Sequence, residues 1–344
     1  METSNTSILI IYTGGTIGMK QNPETGALAP FNFDQILDEV PELRKFGFTL
    51  DTISFDPLID SSDISPEFWI KLALMIEENY EKYNGFVILH GTDTMSFSAS
   101  ALSFMLENLD KAVVFTGSQL PIGMLRTDGK ENLISAVEIA AASSNGQPLV
   151  PEVTIFFENQ LFRGNRTTKH NAEHFNAFRS DNYPTLAHAG ISIKYNFAFI
   201  HYFTHKQKLK VHPFIDTNIA VLKLFPGISP SAIDAVFNTS GAKAVILETY
   251  GSGNALSQQW FLKRLKKAIN NGILILNVTQ CHAGSVDMDK YDNGLLLKKA
   301  GVISGHDITF EAAVVKLMFL LGKGYSAEEL KLQLEKSISG EITV

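Results

Sequence analysis

The sequence has one cysteine, Cys281, among 344 residues, so no disulfide can form within the chain and a reducing compartment is the natural setting. It has no apolar run near the ~20 residues that a membrane-spanning helix requires. The first residues carry no basic stretch ahead of their short apolar segment, so they read as a buried strand entering a turn and not as a signal peptide. Positive charge is also scarce: 29 Lys and Arg stand against 36 Asp and Glu, for a net charge of −7. The densest basic run, residues 263–267, reads as the solvated face of a helix. Nucleic-acid binding, which needs Lys and Arg clustered against phosphate, is disfavoured on that ground. Internal repeats and low-complexity tracts are absent. What remains is 45% hydrophobic and includes 24 Phe, enough for one or two packed cores.

Short runs rich in Ile, Val and Leu end in turns and give way to helical patterns. Such runs occupy residues 7–12, 85–89, 111–115, 219–224, 244–247 and 272–277. Strands buried on both faces look like this in parallel sheets. Between them, Ser65 followed by Pro66 predicts an N-cap with proline at the first helical position, for a helix over residues 66–80. Apolar spacing of three and four predicts further helices over 94–108 and 309–321. Alternating strand and helix gives the expected class: α/β, with a larger N-terminal doubly wound, mostly parallel sheet domain and a smaller C-terminal α/β domain. Residues 191–217 mix aromatic, basic and turn residues without a period. They are expected to connect a catalytic domain at 1–190 with a second domain at 218–344.

In open α/β sheets, ligands bind beyond the carboxyl ends of the strands. The first strand is followed by Thr13-Gly14-Gly15-Thr16, where adjacent glycines let backbone N–H groups approach a ligand. A threonine hydroxyl becomes a nucleophile once a base takes its proton; a tight turn with a satisfied hydroxyl explains the same residues. His90-Gly91-Thr92-Asp93-Thr94 opens a helix, whose free N–H groups and dipole favour anions. An N-cap role for Thr92 or Asp93 is the plainer alternative. Asp60-Ser61-Ser62-Asp63 sets hydroxyls beside carboxylates, which suits the carboxylate and ammonium of an amino acid, and equally suits a turn before the helix. Lys169, in a polar run after the apolar residues 153–157, could act as a base if desolvated, against the default of a solvated surface charge.

In this order TGGTIG with Thr16, DSSD with Ser61 and Ser62, HGTDT with Thr92 and Asp93, and RGNRTTK with Lys169 resemble the L-asparaginase family. The runs ILHGTDTM, ALSFMLENL, VFTGSQLP, RTDGKENL and VTQC are similar to its cytoplasmic type I branch, and the resemblance covers nearly the whole chain. It implies hydrolysis of L-asparagine to L-aspartate and ammonia, a cytoplasmic homodimer or dimer of dimers, no metal and no organic cofactor. It further implies that Thr16 attacks the amide carbon, with Thr92 and Lys169 relaying the proton. Asp93 would pair with the substrate ammonium, Ser61, Ser62 and nearby backbone N–H groups would hold its carboxylate, and Asp60 would also belong to the substrate-binding residues. The backbone N–H of Thr92 would hold the developing oxyanion. Asn254 resembles a residue that reaches the neighbouring subunit's site.

Two departures stand out. Many family members carry a tyrosine on the mobile loop after the nucleophile, where this sequence has Ala27. Some bacterial type I enzymes bind a second asparagine at an allosteric site. Thr279 and Cys281 match that site, but Glu248 stands where an arginine is usual, so activation through it is expected to be weak or absent. Among rival readings, Gly251-Ser252-Gly253 lacks the third glycine of a dinucleotide fingerprint, position 256 being Leu256. His170, Glu173 and His174 do not follow a zinc-hydrolase order. The strongest rival is an asparaginase-like subunit of a tRNA-dependent amidotransferase. The acidic charge and a chain beginning almost at its first strand are expected to disfavour it.

Overall fold

The computed structural model describes residues 6–21, 28–30, 39–202 and 207–343. The chain divides into two compact units, Met1–Pro213 and Phe214–Val344.

The first unit is built on an eight-stranded sheet. Strands β1 (Ser7–Tyr12), β2 (Thr49–Ser54), β3 (Gly85–Leu89), β4 (Ala112–Thr116) and β5 (Val153–Phe157) run parallel. Strands β6 (Gln160–Arg163), β7 (Ala187–Ala189) and β8 (Ile193–Tyr195) extend one edge antiparallel, giving the order β8-β7-β6-β5-β4-β3-β1-β2. The four central strands β1, β3, β4 and β5 are buried almost throughout, as their unbroken apolar runs require.

Helices α1 (Pro66–Asn79), α2 (Met95–Met105) and α3 (Gly129–Ala141) accompany the sheet. Helix α1 buries Phe68, Trp69, Leu72, Ala73 and Ile76, a stripe at three- and four-residue spacing. Each Leu or Ile on such a stripe contributes about 1.5–3 kcal/mol when fully buried. Ser65 occupies the predicted N-cap, but its side chain makes no capping bond; its hydroxyl instead helps hold the Glu67 carboxyl below its usual range. Helix α2 stops three residues short of the expected 108, because Leu106–Glu107 pairs with Lys210–Val211 as a short antiparallel ladder and Asn108 turns left-handed at φ 64°.

Residues 191–213, expected as part of a connection, lie within the first unit, where β8 closes the sheet edge. Their lack of period has a physical source. The elements are two or three residues long, and the segment is held by single contacts, such as Arg163 donating to the Phe199 carbonyl at 3.0 Å and Tyr183 stacked edge-on to Phe199.

The second unit is a parallel four-stranded sheet in the order β9 (Ile219–Lys223), β10 (Ala244–Thr249), β11 (Leu274–Thr279), β12 (Ile303–Ser304). Its helices are α4 (Pro230–Phe237), α5 (Gln259–Asn270), α6 (Asp292–Ala300), α7 (Phe310–Gly322) and α8 (Ala327–Leu334). Thr309 caps α7 by accepting from Ala312 N–H at 3.2 Å. The α/β class with a larger and a smaller domain is borne out in both units.

Candidate active site

Sheet register brings the candidate turns together. Tyr12 lies opposite Leu89, and Leu89 opposite Thr116, so the chain leaves β1, β3 and β4 at one edge. The ladder runs one step further: Thr13 N–H donates to Leu89 O at 3.0 Å and His90 N–H to Thr116 O at 2.9 Å. Gly15 sits at φ 89°, and a Cβ on it would lie 2.6 Å from both Cα and N of Gly91. The two turns therefore touch backbone to backbone, which only glycine permits. A Cβ on Gly91 would in turn lie 2.5 Å from Ser61 Oγ, so the DSSD loop joins the same spot.

Thr16 opens a short 3-10 turn, Thr16–Gly18, and is half-buried. Its hydroxyl has no hydrogen-bond partner among the described residues. Across the glycine contact, the N-cap of α2 is Thr94, whose hydroxyl donates to Ser61 O at 2.6 Å. The capping alternative for Thr92 and Asp93 therefore falls, since both precede the cap. Their side chains meet Lys169 instead. Its ammonium donates to Thr92 Oγ1 at 2.8 Å and to Asp93 Oδ1 at 2.6 Å. Lys169 lies on the two-residue strand Thr168–Lys169, which pairs with Phe178–Arg179. Its side chain is only 18% exposed, against 62% for Asp93, so it is not a solvated surface charge. Asp93 Oδ2 makes no hydrogen bond among the described residues.

Asp60 caps the turn Ser61–Asp63, with Oδ1 accepting from Ser62 N–H and Ser62 Oγ, both at 2.8 Å. Those two bonds hold the Asp60 carboxyl below the usual carboxylate range. Ser61 is buried, and its Oγ accepts from Asp93 N–H at 3.4 Å; Ser62 is exposed. The structure adds Gln119, to which no sequence motif assigned a role. Its Oε1 accepts from the Thr92 hydroxyl at 3.3 Å, while its Nε2 donates to the carbonyls of Ala172 and His174 at 3.2 and 3.1 Å. Asp128 braces this loop by accepting from the N–H groups of Gln119 and Leu120, and its burial pushes its carboxyl pKa up. Gln119 is three residues past β4, so the strand-end rule could have found it.

Ala27 lies outside the described residues. Flanking it, Met19–Gln21 and Leu28–Pro30 pair antiparallel. His170 is half-exposed and His174 exposed. Among the described residues no three His, Cys, Asp or Glu side chains cluster to hold a metal ion, and no helix is long and apolar enough to cross a membrane.

In the second unit, Asn254 closes a glycine turn through reciprocal backbone bonds with Tyr250, at 2.8 and 2.9 Å, and is partly exposed. Glu248 pairs with Lys223 Nζ at 3.3 Å. The Thr279 hydroxyl donates to Gly251 O at 2.6 Å and accepts from Cys281 N–H at 3.0 Å. Cys281 is a free, exposed thiol.

Two family models match this sequence: "Asparaginase, N-terminal" over residues 7–200 and "Glutaminase/Asparaginase C-terminal domain" over residues 218–333. L-asparaginase 1 of Escherichia coli K12 is 43% identical over 339 residues, spanning 98% of each chain. The crystal structure of L-asparaginase I from Vibrio cholerae superimposes with a TM-score of 0.90 at 43% identity, covering 99% of this chain and 100% of that one. A glutamyl-tRNA(Gln) amidotransferase component from Pyrococcus abyssi is 32% identical over 98% of this chain but only 76% of its own length.

Proposed function

This chain belongs to the asparaginase family, and from that premise we infer that it hydrolyses L-asparagine to L-aspartate and ammonia. It is an amidohydrolase. The observation that supports our assignment of its working residues is Lys169, whose ammonium bridges Thr92 and Asp93 at 2.8 and 2.6 Å beside the Gly15–Gly91 contact.

In the proposed mechanism Lys169 acts in its amine form: as Thr16 Oγ attacks the side-chain amide carbon its proton passes to Thr92, the Thr92 hydroxyl proton passes to Lys169, and Lys169 gives a proton to the departing nitrogen. The carbonyl oxygen becomes anionic and is held by the N–H of Thr92. Carbon–nitrogen cleavage releases ammonia and leaves an ester on Thr16. Water attacks that ester, returns a proton to Thr16 and frees aspartate. Asp93 can serve two partners, with Oδ1 on Lys169 and Oδ2 turned to the substrate ammonium. Ser61 and Ser62, set by Asp60, would hold the α-carboxylate.

Ammonia release by the wild type, abolished in Thr16→Ala with unchanged thermal stability, is the expected result. Full activity in that variant would remove Thr16 from the mechanism. For Lys169→Met the expected loss in kcat is ~10²–10⁴-fold, the usual worth of a positioned proton carrier.

We further propose a homodimer or a dimer of dimers, with Asn254 contributing across subunits. Exposed Leu125, Ile191 and Phe197 support a partner-covered surface. The mass by light scattering decides it: a monomer would end this proposal. A cytoplasmic setting is supported by the lone thiol of Cys281, and cell fractionation tests it.

A further inference from the structure

Directly behind the Thr92 turn, a buried imidazole sits at the end of a hydrogen-bonded chain. The Trp69 indole N–H donates to Ser98 Oγ at 3.0 Å, Ser98 Oγ lies 2.9 Å from His90 Nε2, and His90 Nδ1 lies 2.6 Å from the carbonyl oxygen of Gly91. The proton positions follow from the chemistry of each group. A carbonyl oxygen only accepts, so Nδ1 carries the proton. Burial pushes the ring's pKa down to about 4, so the imidazole is neutral at neutral pH and Nε2 presents a lone pair. Ser98 therefore gives its own proton to Nε2 and receives the indole's. Phe68 and Phe115 pack edge-on to the ring at centroid distances of 5.5 and 5.9 Å and fix its plane.

The Gly91 carbonyl shares a peptide unit with the Thr92 N–H. That unit is trans and planar, so its C=O and N–H point in opposite directions. Holding the carbonyl toward the buried ring turns the N–H away from it. The Thr92 N–H has no hydrogen-bond partner among the described residues. We propose that His90 is a positioning residue for the anion site: its Nδ1–H, fixed by Ser98 and Trp69, holds the Gly91–Thr92 peptide so that the Thr92 N–H meets the oxyanion. This rests on the hydrolysis reading above. Gly91 alone would leave that peptide free to rotate, and a misdirected donor is worth little to a transition state.

Two measurements test it. In protein labelled with ¹⁵N-histidine, the His90 ring at pH 7 should show Nδ1 protonated and Nε2 as a hydrogen-bonded acceptor, assigned by loss of the signal in His90→Asn. An Nε2–H tautomer would overturn the proposal, since Nδ1 could then give nothing to Gly91. Kinetics form the second test. His90→Leu should lose about 100-fold in kcat with KM within threefold, the scale of a misplaced catalytic donor. His90→Asn sets an amide N–H where Nδ1–H was and should recover to within about tenfold of wild type; His90→Gln, whose amide mimics the other ring nitrogen, should not. Equal losses in Asn and Leu variants, or a loss carried by KM, would overturn the positioning role. The tautomer is read without substrate. A wild type inactive on asparagine would thus sink the hydrolysis reading, while the spectrum still decides the hold on Gly91.

Discussion

At the residue scale, the site is defined as much by missing side chains as by reactive ones. The strand-end rule located Thr16, Thr92 and Asp93, because a parallel sheet presents its ligands at that edge, whereas Ser61 stood out only as part of a polar loop of hydroxyls beside carboxylates. Two features stayed hidden: that Lys169 would be drawn inward, and that Gln119 would accept from Thr92. Both depend on loops folding back across sequence separations of 77 and 27 residues. His90 likewise reads as one more residue of a motif until its burial is known. That burial carries a prediction about stability. An ordinary unfolded histidine titrates near 6.5, and the folded ring only near 4, so between those values the unfolded chain binds the extra proton. The contribution is fully present above pH 6.5 and is lost as pH falls toward 4, amounting to about 3 kcal/mol from this one ring. Urea titrations at pH 7 and pH 4 should show wild type losing more stability than His90→Asn by that order. Parallel losses in the two proteins would mean the ring is already charged in the folded state.

At the scale of elements, the unbroken apolar strands were legible, whereas the half-exposed β2, the short edge strands β6, β7 and β8, and the helix ends were not. An unbroken apolar run has few ways to be buried, whereas a helix stops where a competing partner appears, as Lys210–Val211 does for residues 106–107. The same limit applies to α7. Its apolar pattern predicts a helix, and Lys316 looks out of place in it. The structure buries Lys316 completely against Glu341, also completely buried, at 2.7 Å. The ammonium donates further to the carbonyls of Leu334 and Lys336, and the carboxylate accepts from the N–H groups of Ile338 and Ser339. A helix thereby clasps the segment that follows α8, by a contact 25 residues away that no local pattern encodes. Burial drives the Lys316 pKa down, and only Glu341 opposes this. Removing one partner of such a pair costs about 3–5 kcal/mol, whereas replacing both with apolar groups is often neutral. Glu341→Gln should therefore lower the midpoint of chemical unfolding by an amount equivalent to about 3 kcal/mol, and Lys316→Met with Glu341→Leu should restore most of it. A shift under about 1 kcal/mol in the single variant would show that the pair carries little of the clasp.

At the scale of the whole molecule, what the sequence discloses about regulation lies in one charge reversal. The resemblance to the bacterial type I branch implies an allosteric asparagine site with an arginine where Glu248 stands. Its carboxylate pairs with Lys223 at 3.3 Å on the sheet of the second unit. An incoming effector would bring a carboxylate to that carboxylate, and like charges at close range cost free energy where an arginine would have supplied two hydrogen bonds. Thr279 is also committed, since its hydroxyl already donates to Gly251 and accepts from Cys281. Binding an effector there would first require breaking bonds that the fold uses. Ammonia release should consequently rise hyperbolically with asparagine concentration, with a Hill coefficient near one. Thr279→Ala and Cys281→Ser should leave the shape of the curve unchanged. A sigmoidal curve that either substitution flattens would show that the second unit still binds asparagine in spite of Glu248.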